Sequence, residues 1–182
     1  NLKPLSSFDD SLDEFKAMAA LERYYPDEVF DHVSRCYGFF ETDMGRGLSS
    51  ELIRDDSGAV SISLKQYLWE HEYSDDCLAA VMALCAHWLK FRVPSRDLIL
   101  HNLVVQRERC DLDEPKIKRL VVIDGLGSAG LIPGHRMPDF VQLKKAQRKV
   151  NNLHERIDDL LGDKAAGRGR GMHGFLFHRG QS

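Results

Sequence analysis

The chain has 182 residues, 43% hydrophobic and 29% charged, a balance that fits one soluble globular domain of ordinary size. Its formal net charge of −3 gives no general attraction to nucleic acid or to an anionic membrane, and it has no run of about 18 apolar residues that would cross a bilayer. The four cysteines, Cys36, Cys77, Cys85 and Cys110, show no Cys-x-x-Cys spacing and read as reduced core thiols of a cytoplasmic protein.

The first residue is Asn, so either the natural start is missing or the chain was processed. Asp10 and Ser11 are placed to cap a helix over 12–25, with Phe15, Met18, Leu21 and Tyr25 at helical spacing and Pro26 as its stop. "VSRCYGFFET" (33–42) and "GLSSELIR" (47–54) read as two strands of a hairpin, and "DDSG" (55–58) reads as a turn. "ISLKQYLWEH" (62–71) predicts a short helix. Asp75 opens a longer one through Phe91, with Leu78, Val81, Met82, Cys85, Trp88 and Leu89 as its apolar stripe. The acidic pair Asp75 and Asp76 complements the dipole at that helix start, and His87 reads as a histidine at the core edge.

After Pro94 come a loop, a strand over 102–106, a turn over 108–116 and a strand over 117–124 that is continuously apolar before Asp124. The Gly-rich stretch 125–138 reads as irregular. A last helix over 139–161 carries Ala146, Val150, Leu153, Ile157 and Leu160 as a narrow seam. Residues 164–182 form a Gly/Arg tail. Its "GRGMHG" (169–174) fits G-x-G-x-x-G, but no strand precedes it, and it reads as a mobile tail rather than a phosphate loop. The expected architecture is α+β: a domain over 1–163, with a hairpin and one helix in about 1–56 and a mainly helical part with a second hairpin in 57–163.

The polar residues that could carry chemistry sit on that second hairpin. In "SRDLILHN" (95–102), Asp97 and Asn102 stand five residues apart on a loop that enters one strand, and Asp124 ends the facing strand before a glycine. If the strands pair, the three side chains converge at one end of the hairpin. An Asp and an Asn beside a second Asp suit a hard divalent cation such as Mg²⁺ with positions open for phosphate oxygens, and leave one carboxylate to accept a proton. His101, inside the loop, reads as a residue bonded to the loop backbone or as a substrate contact.

The stretch resembles the catalytic loop of the protein-kinase superfamily, His-Arg-Asp-Leu, three variable residues, then Asn; Arg96, Asp97, Leu98 and Asn102 match it at the right spacing. "DGLG" (124–127) takes the place of Asp-Phe-Gly. The wider chain, over roughly residues 10–140, resembles the YrbL family of PhoP regulatory network proteins within that superfamily, with "YGFFETDMGRGLSSELIRDDSGAVSISLKQYL" (37–68) as the strongest stretch. The resemblance implies a reduced, two-lobed protein-kinase-like fold. It implies Asp97 as catalytic base, Asn102 as a metal ligand and Asp124 as the main metal ligand, with ATP and Mg²⁺ (or Mn²⁺) as cofactors. It implies Lys3 and Glu14 as the pair holding the α/β-phosphates, Glu22 being a weaker alternative to Glu14, and Leu52, Ile53 and Arg54 as the strand beside the adenine.

Several positions depart from the pattern. Ser95 replaces the usual His, Ile99 replaces a Lys common in Ser/Thr kinases, Gly125 replaces the Phe, and no Ala-Pro-Glu follows. Three readings result: a kinase-like phosphotransferase that uses ATP and a divalent metal and acts on an unidentified phosphate acceptor, a kinase-like regulatory module that binds a protein partner and holds nucleotide weakly or not at all, and a metal-dependent phosphatase or mutase built on "VVIDGLG". The third lacks a downstream Asp/His set, and the first is preferred because Asp97, Asn102 and Asp124 are all present. Neither a membrane nor nucleic acid is expected as a partner.

Overall fold

The computed structural model describes residues 6–43, 45–109, 116–127, 137–169, 171, 174 and 175, with side chains from residue 11 onward. Among these residues the fold is mixed α+β, with four α-helices and two separate two-stranded antiparallel sheets. In chain order the elements are α1 (Ser6–Tyr24), a 3₁₀ turn (Asp27–Asp31), β1 (Cys36–Thr42), β2 (Gly45–Ser50), α2 (Leu64–Glu70) and α3 (Asp75–Phe91). A second 3₁₀ turn (Leu100–Asn102), β3 (Leu103–Glu108), β4 (Lys116–Val122) and α4 (Asp139–Ala165) complete it.

The first helix starts at Ser6, so Asp10 and Ser11 lie inside it rather than capping it. Met18 and Leu21 bury its inner face, and Phe15 meets Phe39 of β1 with ring centroids 5.3 Å apart. The first hairpin is shorter than expected at its open end and longer at its turn, where β2 begins at Gly45. Strand β1 starts at Cys36, with a register shift at Gly38, whose φ of +98° is a conformation glycine adopts without a Cβ clash. Residues 33 and 34 instead run along β4, where Ser34 N–H donates to the Val122 carbonyl at 2.9 Å. Strand β2 ends at Ser50, because the chain then leaves β1 to pair with 60 and 61: Ser61 N–H donates to the Ile53 carbonyl, and Arg54 bridges Val60.

The 55–58 turn forms as expected, but Asp55 is more than a turn residue. It is buried, accepts from Ser61 Oγ at 2.6 Å, and pairs with Arg107 of β3 at 2.7 Å. The β3 edge of the β3–β4 hairpin is supported further, since Ser63 bridges Val104 and Val105 N–H donates to the Ile62 carbonyl. Ser63 caps α2 and Ser74 caps α3, each accepting from the backbone N–H three residues on.

The inward face of α3 is Cys77, Ala80, Val81, Leu84, Cys85, His87 and Trp88. The expected stripe was turned by about one position: Leu78 and Met82 are 42% and 53% exposed. That helix is apolar on most sides, so side-chain spacing alone leaves its rotation undetermined. His87 sits at the core edge, its Nε2–H donating to the Val29 carbonyl at 3.1 Å. The seam of α4 is as expected, with Ala146, Val150, Leu153, Ile157 and Leu160 all buried, although the helix continues past 161 to Ala165.

Candidate functional site

The loop 95–102 is held by its alternate apolar residues. Leu98 and Leu100 are buried in the main core, which turns Asp97 and His101 outward. Its backbone is laced to the segment after β4. Ile123 N–H donates to the Asn102 carbonyl at 2.9 Å, Arg96 N–H to the Gly125 carbonyl at 2.8 Å and Gly127 N–H to the Pro94 carbonyl at 2.9 Å, while Ser95 bridges Leu126. Gly125 has φ +80°, and a Cβ there would stand 3.3 Å from Asn102 Nδ2. A glycine after Asp124 therefore lets the Asn102 side chain lie over that turn. Leu126, not residue 125, supplies the buried apolar anchor behind Asp124.

The two carboxylates at this end of the hairpin are turned toward different helices. Asp97 Oδ1 accepts from Leu98 N–H at 2.9 Å, and Oδ2 accepts from Arg156 of α4 at 2.6 Å. Burial raises the Asp97 pKa, but the hydrogen bonds from Arg156, Leu98 and Asn152 outweigh it and leave the carboxyl below its ordinary value. Asp124 is exposed, accepts from Gly125 N–H, and faces α1. There it meets Glu14, whose pKa is pushed up to about 7 by burial first and then by the charge of Asp124, with Arg96 opposing. Glu14 is thus partly protonated near neutrality, and its protonated carboxyl donates a hydrogen bond to Asp124.

Asp124 and the amide oxygen of Asn102 are the hard oxygen donors here that could hold a divalent cation. Among the described residues no group of three or more His, Cys, Asp or Glu is placed to hold a metal ion.

An apolar cavity of about 370 Å³ lies next to these residues, lined by Leu52, Ile53, Val60, Val104, Ile123 and Phe175 among others. Of the three residues expected beside an adenine, Leu52 and Ile53 line it. Arg54 does not: its guanidinium donates to the Gly58 carbonyl at 2.8 Å, which turns it to the 55–58 turn. A second cavity of about 140 Å³ holds Glu14 and shares Ser50 and Ile123 with the first, so the two adjoin. Lys3 lies outside the described residues. Of the tail, Gly174 and Phe175 line one side of the larger cavity, with Ser63 Oγ donating to the Gly174 carbonyl.

The pattern that defines the PhoP regulatory network protein YrbL family matches residues 4–158. The chain belongs to the YrbL family. No curated protein matches it. Among the described residues no helix is long and apolar enough to cross a membrane.

In this YrbL-family chain, the residues of α4 that lie beside Asp97 escaped the sequence reading. Lys149, Asn152 and Arg156 form a column on α4 at i, i+3 and i+7, flanking the apolar seam. The spacing is visible in the sequence, but nothing there says that this edge of the helix faces the 95–102 loop.

Proposed function

We propose that this chain is a kinase-like phosphotransferase that takes ATP with Mg²⁺ or Mn²⁺ and transfers a phosphoryl group to an acceptor hydroxyl. The observation that supports the reading is the lacing of the 95–102 loop to 123–127, beside an apolar cavity. It brings Asn102 against Gly125 and leaves Asp97 and Asp124 at one end of the β3–β4 hairpin. A base fits a cavity of this size and character, between Leu52 and Ile53 on one side and Val104 and Ile123 on the other. Asp124 and Asn102 would hold the metal, which supplies charge neutralisation at the phosphates. Asp97, kept ionised by Arg156 and Asn152, orients the acceptor hydroxyl and takes its proton.

A kinase-like regulatory module is the second reading. The close pairing of Asp97 with Arg156 favours it, because that carboxylate is already occupied on both oxygens. The family's link to the PhoP regulatory network agrees with either reading.

Thermal-shift and calorimetric titrations of the unmutated chain, Asp124→Ala and Asp97→Ala with ATP, with and without Mg²⁺ or Mn²⁺, decide between them. The phosphotransferase reading expects binding only with metal, since the clustered carboxylates otherwise repel the phosphates. It expects that binding to be lost in Asp124→Ala and retained in Asp97→Ala, which loses only transfer. No change in melting at millimolar ATP with metal rejects it in favour of the binding module.

A further inference from the structure

The side of α3 that faces away from the core is apolar as well. Leu78, Ala79, Met82, Ala83 and Ala86 are all exposed, Leu78 at 42% and Met82 at 53%. At 3.6 residues per turn these five side chains fall within an arc of about 140°, opposite Cys77, Leu84 and Trp88. The outer face of a surface helix is ordinarily polar, and a row of apolar side chains there marks a surface that meets a partner. Asp75 begins this face and Lys90 ends it, both exposed, and they stand roughly 22 Å apart along the axis. Among the described residues neither is in an ion pair, and the Lys90 ammonium lies over the Phe91 ring, 4.6 Å from its centroid. The other charges near the two ends are engaged within the chain. Asp76 accepts from Ile117 N–H at 2.7 Å, and Arg92 is paired with Asp139.

The order of residues along the face is self-complementary. A second copy of α3, laid antiparallel about a two-fold axis between Met82 and Ala83, sets Met82 of each helix against Ala83 of the other. Ala79 then meets Ala86, and Asp75 meets Lys90. A long side chain lies over a short one at the centre, alanines let the backbones approach on either side of it, and opposite charges close both ends. The helix dipoles also oppose each other in that arrangement. A parallel pair would instead set Asp75 against Asp75 and Lys90 against Lys90.

We propose that this face of α3 is the interface of a symmetric homodimer in which two copies of the helix pack antiparallel. One patch then serves both subunits, as an isologous contact requires. A lipid surface fits the face less well, because helices that lie on membranes carry Lys and Arg beside the apolar face, whereas this one begins with an acid and the chain has a net charge of −3. Two helices of 17 residues meeting along one side make a small interface, below the roughly 1,200 Å² of standard complexes, so the dimer is of the weak, micromolar kind. The inference does not depend on the nucleotide reading.

Sedimentation equilibrium of the whole chain at low salt, from about 1 μM to about 0.5 mM, tests this in the unmutated chain, Met82→Glu, Asp75→Lys and Lys90→Asp. The unmutated chain should pass from monomer to dimer within that range. Met82→Glu lies at an exposed position, so it should keep the melting temperature of the monomer and lose the dimer. Asp75→Lys and Lys90→Asp each place like charges at both ends of the antiparallel pair, and each alone should associate at least ~10-fold more weakly. Mixed in equal amounts, the two should associate with each other about as tightly as the unmutated chain does with itself, because every end then joins opposite charges. This recovery needs no comparison of how well the variants fold. A chain that stays monomeric throughout the range overturns the proposal and leaves the face to another occupant. A dimer that survives Met82→Glu overturns it by placing the interface elsewhere. Failure of the mixture to recover overturns the antiparallel pairing.

Discussion

Replacing Glu14 with Gln tests the pairing of α1 with the end of β4 directly. Glu14 has its pKa raised from 4.5 to about 7 by burial and by Asp124. The folded chain therefore keeps a proton there that the unfolded chain releases above about pH 4.5. Between pH 4.5 and 7 the native state binds more protons than the unfolded state, so stability from this group is fully present below pH 4.5 and falls as pH rises through 7. At 1.36 kcal/mol per unit the full shift would cost about 3 kcal/mol, but Glu14 is only half-buried and solvent screening reduces this to ~1–2 kcal/mol. His87 works in the opposite sense in an overlapping window. Burial and His32 lower its pKa to about 4, so it destabilises the fold as pH falls from 6.5 toward 4. The readout must therefore be the difference between Glu14→Gln and the unmutated chain, in which the histidine cancels. Urea unfolding in EDTA at intervals from pH 4.5 to 7.5 should show Glu14→Gln gaining on the unmutated chain by ~1–2 kcal/mol, a midpoint change of about 0.5–1 M. A flat difference across the window, or a Glu14 carboxyl titrating near 4.5 by NMR, would refute the pairing.

Two further outcomes are expected. Asp55→Asn leaves the Arg107 guanidinium without its buried counter-charge and should lower stability by ~3–5 kcal/mol, a melting-temperature drop on the order of 10 °C by differential scanning calorimetry. Ending the chain after Gly169 removes Phe175 from the wall of the larger cavity. It should raise the fluorescence of 8-anilinonaphthalene-1-sulfonate, and unchanged fluorescence would place the tail away from that cavity.

That the 95–102 loop and the segment after β4 lie side by side was legible because the strands around them are short, strongly apolar and separated by clear turn signals, whereas the turning of Asp97 toward α4 and of Asp124 toward α1 was not. The placement of loop and segment follows once β3 and β4 pair. The seam of α4 was legible for the same reason, since its other residues are polar and only one rotation buries Val150, Leu153 and Ile157. The rotation of α3 was not, because Leu78 and Met82 are as apolar as the residues that replaced them inside. The partners of Asp97 escaped because a contact across 59 residues leaves no local pattern. Asp55 escaped for that reason too: its Arg107 is 52 residues away, and the local Asp-Asp-Ser-Gly pattern already accounted for it as a turn.

The two hairpins differ in one respect that bears on how a ligand could enter. Every residue of β1 and β2 is at least partly exposed, whereas β3 and β4 contribute Leu103, Val104, Val105, Ile117, Leu120, Val121 and Val122 to buried clusters. An isolated two-stranded ribbon is marginal in water, and β1–β2 leans chiefly on Phe15 and its neighbours in α1. Its amides should exchange with solvent deuterium through local opening, while those of β3–β4 exchange only when the whole chain unfolds. Since Ser50 and Leu52 close the larger cavity from the β2 side, the door to that cavity is hung on the least durable part of the fold, and the strands that frame the 95–102 loop on the most durable.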